Sequence, residues 1–144
     1  MIEYKVKVHD NGTREWYLNG KHHREDGPAV EFANGDKCWY LNGKRHREDI
    51  NPETGLTCPA IEYANGTKHW FLNGNRHRED GPAVEYANGY KSWYLNGELH
   101  REDGPAIELV DGGTEYCING KYIPQLDNKH IYGKENLQKY LILI

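Results

Sequence analysis

The chain has 144 residues, the length of a single domain, with 37% apolar residues, 28% charged residues and a formal charge of -4 at pH 7. That acidic balance, with a mean hydropathy of -0.95, excludes a simple basic nucleic-acid footprint, and no apolar run approaches the roughly 20 residues of a membrane span. Aromatic side chains reach 12%, so burial has to rest on Trp and Tyr.

The chain opens on alternating residues, with Ile2, Tyr4, Val6 and Val8 on one side of a first strand. This charged alternation is unlike the apolar core of a signal peptide, and the strand reads as an N-terminal cap. Three cysteines (Cys38, Cys58 and Cys117) are too few and too irregular for a disulfide framework, which points to a reducing cytoplasm.

From Trp16 onward the sequence repeats itself. An aromatic pair precedes Leu-Asn-Gly at Trp16–Gly20, Trp39–Gly43, Trp70–Gly74 and Trp93–Gly97, and a worn copy occupies Tyr116–Gly120. The offsets between copies are 23, 31, 23 and 23 residues. Four copies run on into His-Arg-Glu-Asp, starting at His23, His46, His77 and His100. Three of these continue Gly-Pro-Ala, and the fourth carries an insertion over 50–57 before Cys58-Pro59-Ala60. A second Asn-Gly lies inside the units at Asn34-Gly35, Asn65-Gly66 and Asn88-Gly89, and Asp111-Gly112 takes its place later.

Asn-Gly between alternating residues signals a two-residue type I′ hairpin. Such a turn at Asn34-Gly35 sets Val30 opposite Trp39, and the same register sets Ile61 opposite Trp70, Val84 opposite Trp93 and Ile107 opposite Tyr116. In the first hairpin it would oppose Lys7 to Trp16. A loop one residue longer is therefore expected there, pairing Val6 with Trp16. The expected fold is all-β: an elongated single-layer antiparallel meander of about five β-hairpin repeats over residues 1–120. Residues 121–144 are expected to form a C-terminal cap, whose 134–144 stretch reads as a short helix, an edge strand or a self-association patch.

The unit Trp-Tyr-Leu-Asn-Gly-Lys-x-His-Arg-Glu-Asp-Gly-Pro-Ala resembles tandem repeats of proteins from phages, giant viruses and bacteria, over roughly residues 11–120. It is more distantly similar to MORN repeats, departing where Arg-Glu-Asp-Gly-Pro-Ala stands for their Gly-x-Gly. The resemblance implies one β-hairpin per unit and a small intracellular, phage-type protein that inhibits a host defence factor by occlusion.

His-Arg-Glu-Asp contains a base, a cation and two acids. Its recurrence in every unit points to a structural role, with Asp-Gly-Pro turning into the next strand. The Trp row reads as core. The opposite face is expected to carry the partner-binding residues. These are an aromatic row of Tyr17, Tyr40, Phe71 and Tyr94 and an acidic row of Glu31, Glu62, Glu85 and Glu108. Ala29, Ala60, Ala83 and Ala106 lie between them, making a groove for a Lys- or Arg-bearing protein. Pro52 and Glu53, at the tip of the insertion, extend that surface. The basic clusters Lys44-Arg45-His46-Arg47, Arg76-His77-Arg78 and Lys21-His22-His23-Arg24 each run into Glu-Asp, which argues against phosphate tracking. No motif of nucleophilic, phosphate-binding or metal chemistry is present. No catalytic residue, metal or cofactor is expected. Two other readings are a small-ligand binder gripping with Trp and Arg, and a hydrolase built on one His-Arg-Glu-Asp copy.

Overall fold

The computed structural model describes residues 1–124. They form nineteen short strands, paired antiparallel, with no α-helix among them. Ten strands make a continuous open meander: Lys5–Val8, Arg14–Leu18, Val30–Glu31, Lys37–Cys38, Ile61–Glu62, Lys68–His69, Val84–Glu85, Lys91–Ser92, Ile107–Glu108 and Thr114–Glu115. At about 4.8 Å per strand the sheet runs on the order of 40 Å. The expected all-β hairpin-repeat sheet is what forms. The expectations for 134–144 lie outside the described residues.

Each unit makes two hairpins, not one. Beside the long sheet stands a row of small hairpins, each closed by Leu-Asn-Gly or its worn copy. Tyr40–Leu41 pairs with Lys44–Arg45, Phe71–Leu72 with Asn75–Arg76, Tyr94–Leu95 with Glu98–Leu99, and Cys117–Ile118 with Lys121–Tyr122. In the first unit Tyr17 and Leu18 pair with His22 and Lys21. These are the two-residue type I′ turns: Asn42 has φ 52° and Gly43 φ 79°, and the other four copies match.

The second Asn-Gly makes a different turn, and this corrects the register. Gly35 has φ 99°, whereas Asn34 is not left-handed. Gly35 N–H donates to Phe32 O at 3.0 Å, and Phe32 N–H to Asp36 O at 2.9 Å. Asn34 Oδ1 accepts from Asp36 N–H at 3.0 Å, and that bond fixes the loop without a positive φ at Asn34. The loop is thus three residues long, a type I turn followed by a left-handed glycine. Val30 therefore pairs with Cys38, Ile61 with His69, Val84 with Ser92 and Ile107 with Glu115, one residue away from the expected Trp and Tyr partners. Val30 and Trp39 lie on opposite sides of their ribbon. The first hairpin pairs Val6 with Trp16 as expected, because it uses the same three-residue loop.

Val30, Cys38, Trp39, Ala60, Ile61 and Phe71 form the central cluster, with Tyr40 packed against it. Units are joined through backbone and side chain together. His23 Nδ1 accepts from Asn42 N–H at 2.9 Å, and His46, His77 and His100 do the same for Asn73, Asn96 and Asn119. Gly43 N–H donates to His22 O, and Gly74 N–H to Arg45 O. Each histidine is a clasp between neighbouring units, which is how a one-dimensional array gains stability.

Candidate interaction surface

Side chains alternate across a strand, so the register sorts the molecule into two faces. One is a charged face built on a repeated node. Arg47 lies 3.8 Å from the Trp39 ring centroid and donates to Asp49, to Pro59 O at 3.0 Å and to Glu62 at 3.1 Å. Arg24, Arg78 and Arg101 repeat this on Trp16, Trp70 and Trp93, at 4.0, 3.9 and 3.9 Å. Each also bonds the matching Asp, Pro carbonyl and Glu. Glycine follows in three units because a Cβ at Gly81 would sit 2.7 Å from Arg78 Cζ. Between neighbouring nodes lie open clefts, one of about 540 Å³ lined by Arg78, Trp93 and Arg101, and one of about 330 Å³ beside Trp70 and Thr57.

His-Arg-Glu-Asp is thus a structural motif with its parts divided. The Arg takes its own Asp and a Glu seven residues on, or fifteen across the insertion, while the His ring reaches its own Glu, as His46 does to Glu48 at 2.6 Å. The insertion is anchored on this side. Thr57 donates through N–H and Oγ1 to Asp80, and Trp70 Nε1–H donates to Thr57 O. Burial by itself would raise the Asp80 carboxyl, but the Arg78 guanidinium and then the two Thr57 bonds outweigh it and hold it below its ordinary range. Pro52 and Glu53 stay exposed at the loop tip.

The other face is aromatic. Its central row is Val30, Cys38, Ile61, His69, Val84 and Ser92, all buried. Along the small hairpins run Tyr17, Tyr40, Phe71 and Tyr94, each directly across from His22, Arg45, Arg76 or Leu99. On the far margin Phe32, Tyr63 and Tyr86 are 44%, 39% and 45% exposed.

The expected groove joining the aromatic and acidic rows does not form. Glu31, Glu62, Glu85 and Glu108 lie on the charged face, each held by an arginine of its node, and Tyr17, Tyr40, Phe71 and Tyr94 lie on the other. The one-residue register change separates them. Ala29, Ala60, Ala83 and Ala106 are fully buried, so they line no groove.

Composition alone hides what does accompany the aromatic row. Arg45 lies 5.5 Å from the Phe71 centroid, and Arg76 lies 5.5 Å from Phe71 and 5.7 Å from Tyr94. Among the described residues these are the two guanidiniums with no carboxylate within ion-pair distance. Behind them sits His69, with Tyr63 and Tyr86 edge-on at 5.6 and 5.8 Å and Phe71 stacked at 6.3 Å. Its Nδ1 is buried without a hydrogen-bond partner. Burial first, then the Arg76 and Arg45 charges, hold its pKa down at about 4. At the N-terminal end Glu15 is bonded by His9 at 2.6 Å and His22 at 3.0 Å, which hold its carboxyl at about 2.

These residues have one signal in the sequence. They stand where the repeat varies: the positions equivalent to His69 hold Glu15, Cys38, Ser92 and Glu115, and those equivalent to Arg45 hold His22, Arg76, Leu99 and Tyr122. Comparison of the chain with protein-family models and with curated proteins finds no match.

Proposed function

We propose that this chain is a non-enzymatic protein-interaction module that presents its aromatic face to a protein partner. The observation that carries the reading is the division of the faces. The repeated charges are spent on one another, while on the other face the exposed guanidiniums of Arg45 and Arg76 have no carboxylate among the described residues and lie beside half-buried Tyr40 and Tyr94, with exposed Phe32, Tyr63 and Tyr86 along the margin. Exposed tyrosines near arginine are the composition of binding hot spots. A rigid array of this length works by covering a surface. In the phage setting that the repeat resemblance implies, the function is inhibition of a host factor by occlusion. The four His-Arg-Glu-Asp copies, with their side chains committed to the same structural contacts, support a non-enzymatic role.

The test is affinity capture from a bacterial lysate, with the wild type and with a variant carrying Tyr40→Ser, Tyr63→Ser and Tyr86→Ser as baits. A protein recovered in stoichiometric amount by the wild type and lost with the variant is expected. Equal recovery by both would sink the reading, provided that the two baits melt at the same temperature.

A further inference from the structure

We infer that the strip of Arg45 and Arg76, set over buried Phe71 and between the half-buried rings of Tyr40 and Tyr94, receives an acidic, extended segment of the partner protein, carboxylates on guanidiniums and side chains against the two tyrosines. The inference rests on the interaction-module reading and adds the chemistry of the partner.

Three observations point to it. First, charge complementarity selects an acid. Arg24, Arg47, Arg78 and Arg101 are each held by two carboxylates, whereas Arg45 and Arg76 are exposed and have none. A guanidinium that lies along an aromatic ring keeps its edge for a carboxylate, which it takes in bidentate fashion. The acid of the same unit on this face, Asp36, already accepts from Ala64 N–H at 2.7 Å and from Asn34 Nδ2 at 3.1 Å.

Second, the spacing is bounded. Both guanidinium carbons lie 5.5 Å from the Phe71 centroid, so they are separated by no more than about 11 Å. In an extended polyproline II segment, with three residues per turn and about 3.1 Å of rise each, residues i and i+3 stand on one side about 9 Å apart. Acids at positions i and i+3 of such a segment face the strip together, within that bound.

Third, His69 leaves a buried polar atom unanswered under the same strip. Its Nδ1 has no partner, and the exposed rings of Tyr63 and Tyr86 flank it edge-on. A hydrogen-bonding group of the segment entering between them satisfies that atom, and no equivalent position in the repeat carries a histidine.

The test is fluorescence anisotropy with a labelled 12-residue peptide carrying Glu at every third position and Tyr between. Three probes accompany it: the same peptide with Lys for Glu, a peptide of the same composition with its Glu residues adjacent, and a single-stranded oligothymidylate. The proteins are the wild type, Arg45→Gln with Arg76→Gln, and Lys68→Gln with Lys91→Gln as a charge-matched control on the opposite face. The spaced acidic peptide is expected to bind the wild type best and to weaken about tenfold in the arginine variant. It should keep its affinity in the lysine variant, and lose affinity as salt rises from about 50 to about 300 mM.

The inference is overturned if the acidic peptide does not bind the wild type, if the Lys peptide binds equally, or if the arginine variant binds like the wild type. It is also overturned if the oligothymidylate binds more tightly with the same arginine dependence, which would make the strip a nucleic-acid surface. These failures are separable from failure of the module itself. A partner captured by the arginine variant but lost with the tyrosine variant leaves the module standing and removes only the acidic segment.

Discussion

The two faces of this sheet are made by the same strands, yet they follow opposite rules. On the charged face the residues are nearly identical from unit to unit, and each of the four node arginines finds a ring, an aspartate, a carbonyl and a glutamate. On the aromatic face the central residue changes from Glu15 to Cys38, His69 and Ser92, and the small-hairpin residue from His22 to Arg45, Arg76 and Leu99. The lesson is that repetition marks what the array needs to stack, and variation marks where one unit is made unlike the next.

The largest effect should come from breaking a node. Arg78 is the most buried of the four, with a side chain 6% exposed, against 21% for Arg101. Arg78→Ala leaves Glu85 and Pro82 O without their donor and Asp80 with Thr57 alone, and is expected to cost about 3–4 kcal/mol in urea denaturation followed by Trp fluorescence. Arg101→Ala should cost about half as much, its site being more solvated. Arg78→Lys should recover only part, since an ammonium cannot spread over the ring and fork to two acids. Equal losses at both sites would contradict the node as drawn.

Next comes the histidine of the other face. His69 titrates at about 4 when folded and at 6.5 when exposed, so the unfolded chain binds more protons between those values. Its contribution to stability is full above about pH 6.5 and is lost as pH falls toward 4. The loss is on the order of 3 kcal/mol. Replacing His69 with Ser, the residue at the equivalent position 92, should flatten that part of the stability–pH curve. An unchanged curve would mean that the imidazole is solvated.

A smaller effect tests why glycine follows the motif. In Gly81→Ala the new Cβ meets Arg78 Cζ at 2.7 Å, pushing the guanidinium off Trp70 at a cost of about 1 kcal/mol. The same change at Gly104 should behave alike, because its Cβ would meet Arg101 Cζ at 2.8 Å. Smallest of all, Lys68 is exposed and stands across strands from Glu62 and Glu85 with no ion pair to either among the described residues, so Lys68→Gln should shift stability by less than about 0.5 kcal/mol. A loss above that would give these cross-strand charges a weight that solvated charges do not carry.

Much of this was legible in the residues. The aromatic–Leu-Asn-Gly landmarks announced the repeat, turn dipeptides announced hairpins, and recurrence of His-Arg-Glu-Asp pointed to structure over chemistry. The aromatic row was found, but its neighbours were misassigned. The acids expected beside it lie behind the sheet. Arg45 and Arg76 are legible as parts of basic clusters, but the Glu-Asp that follows neutralises only Arg47 and Arg78, on the opposite face; His69, a single residue at a variable position, carries no pattern.

The sequence by itself determined the period, the all-β class and the places where the chain turns, because Asn, Gly and alternation act within a few residues. The tertiary structure decided which turn each Asn-Gly makes, and with it every face. Asn-Gly is compatible with both a two-residue and a three-residue loop. Bonds from neighbouring units accompany the choice. Thr13 and Asp36 accept from Ala33 and Ala64 N–H at the long-sheet loops, and His22 O and Arg45 O accept from Gly43 and Gly74 N–H at the small hairpins. Those partners stand some twenty or more residues away, so no local reading of the dipeptide contains them.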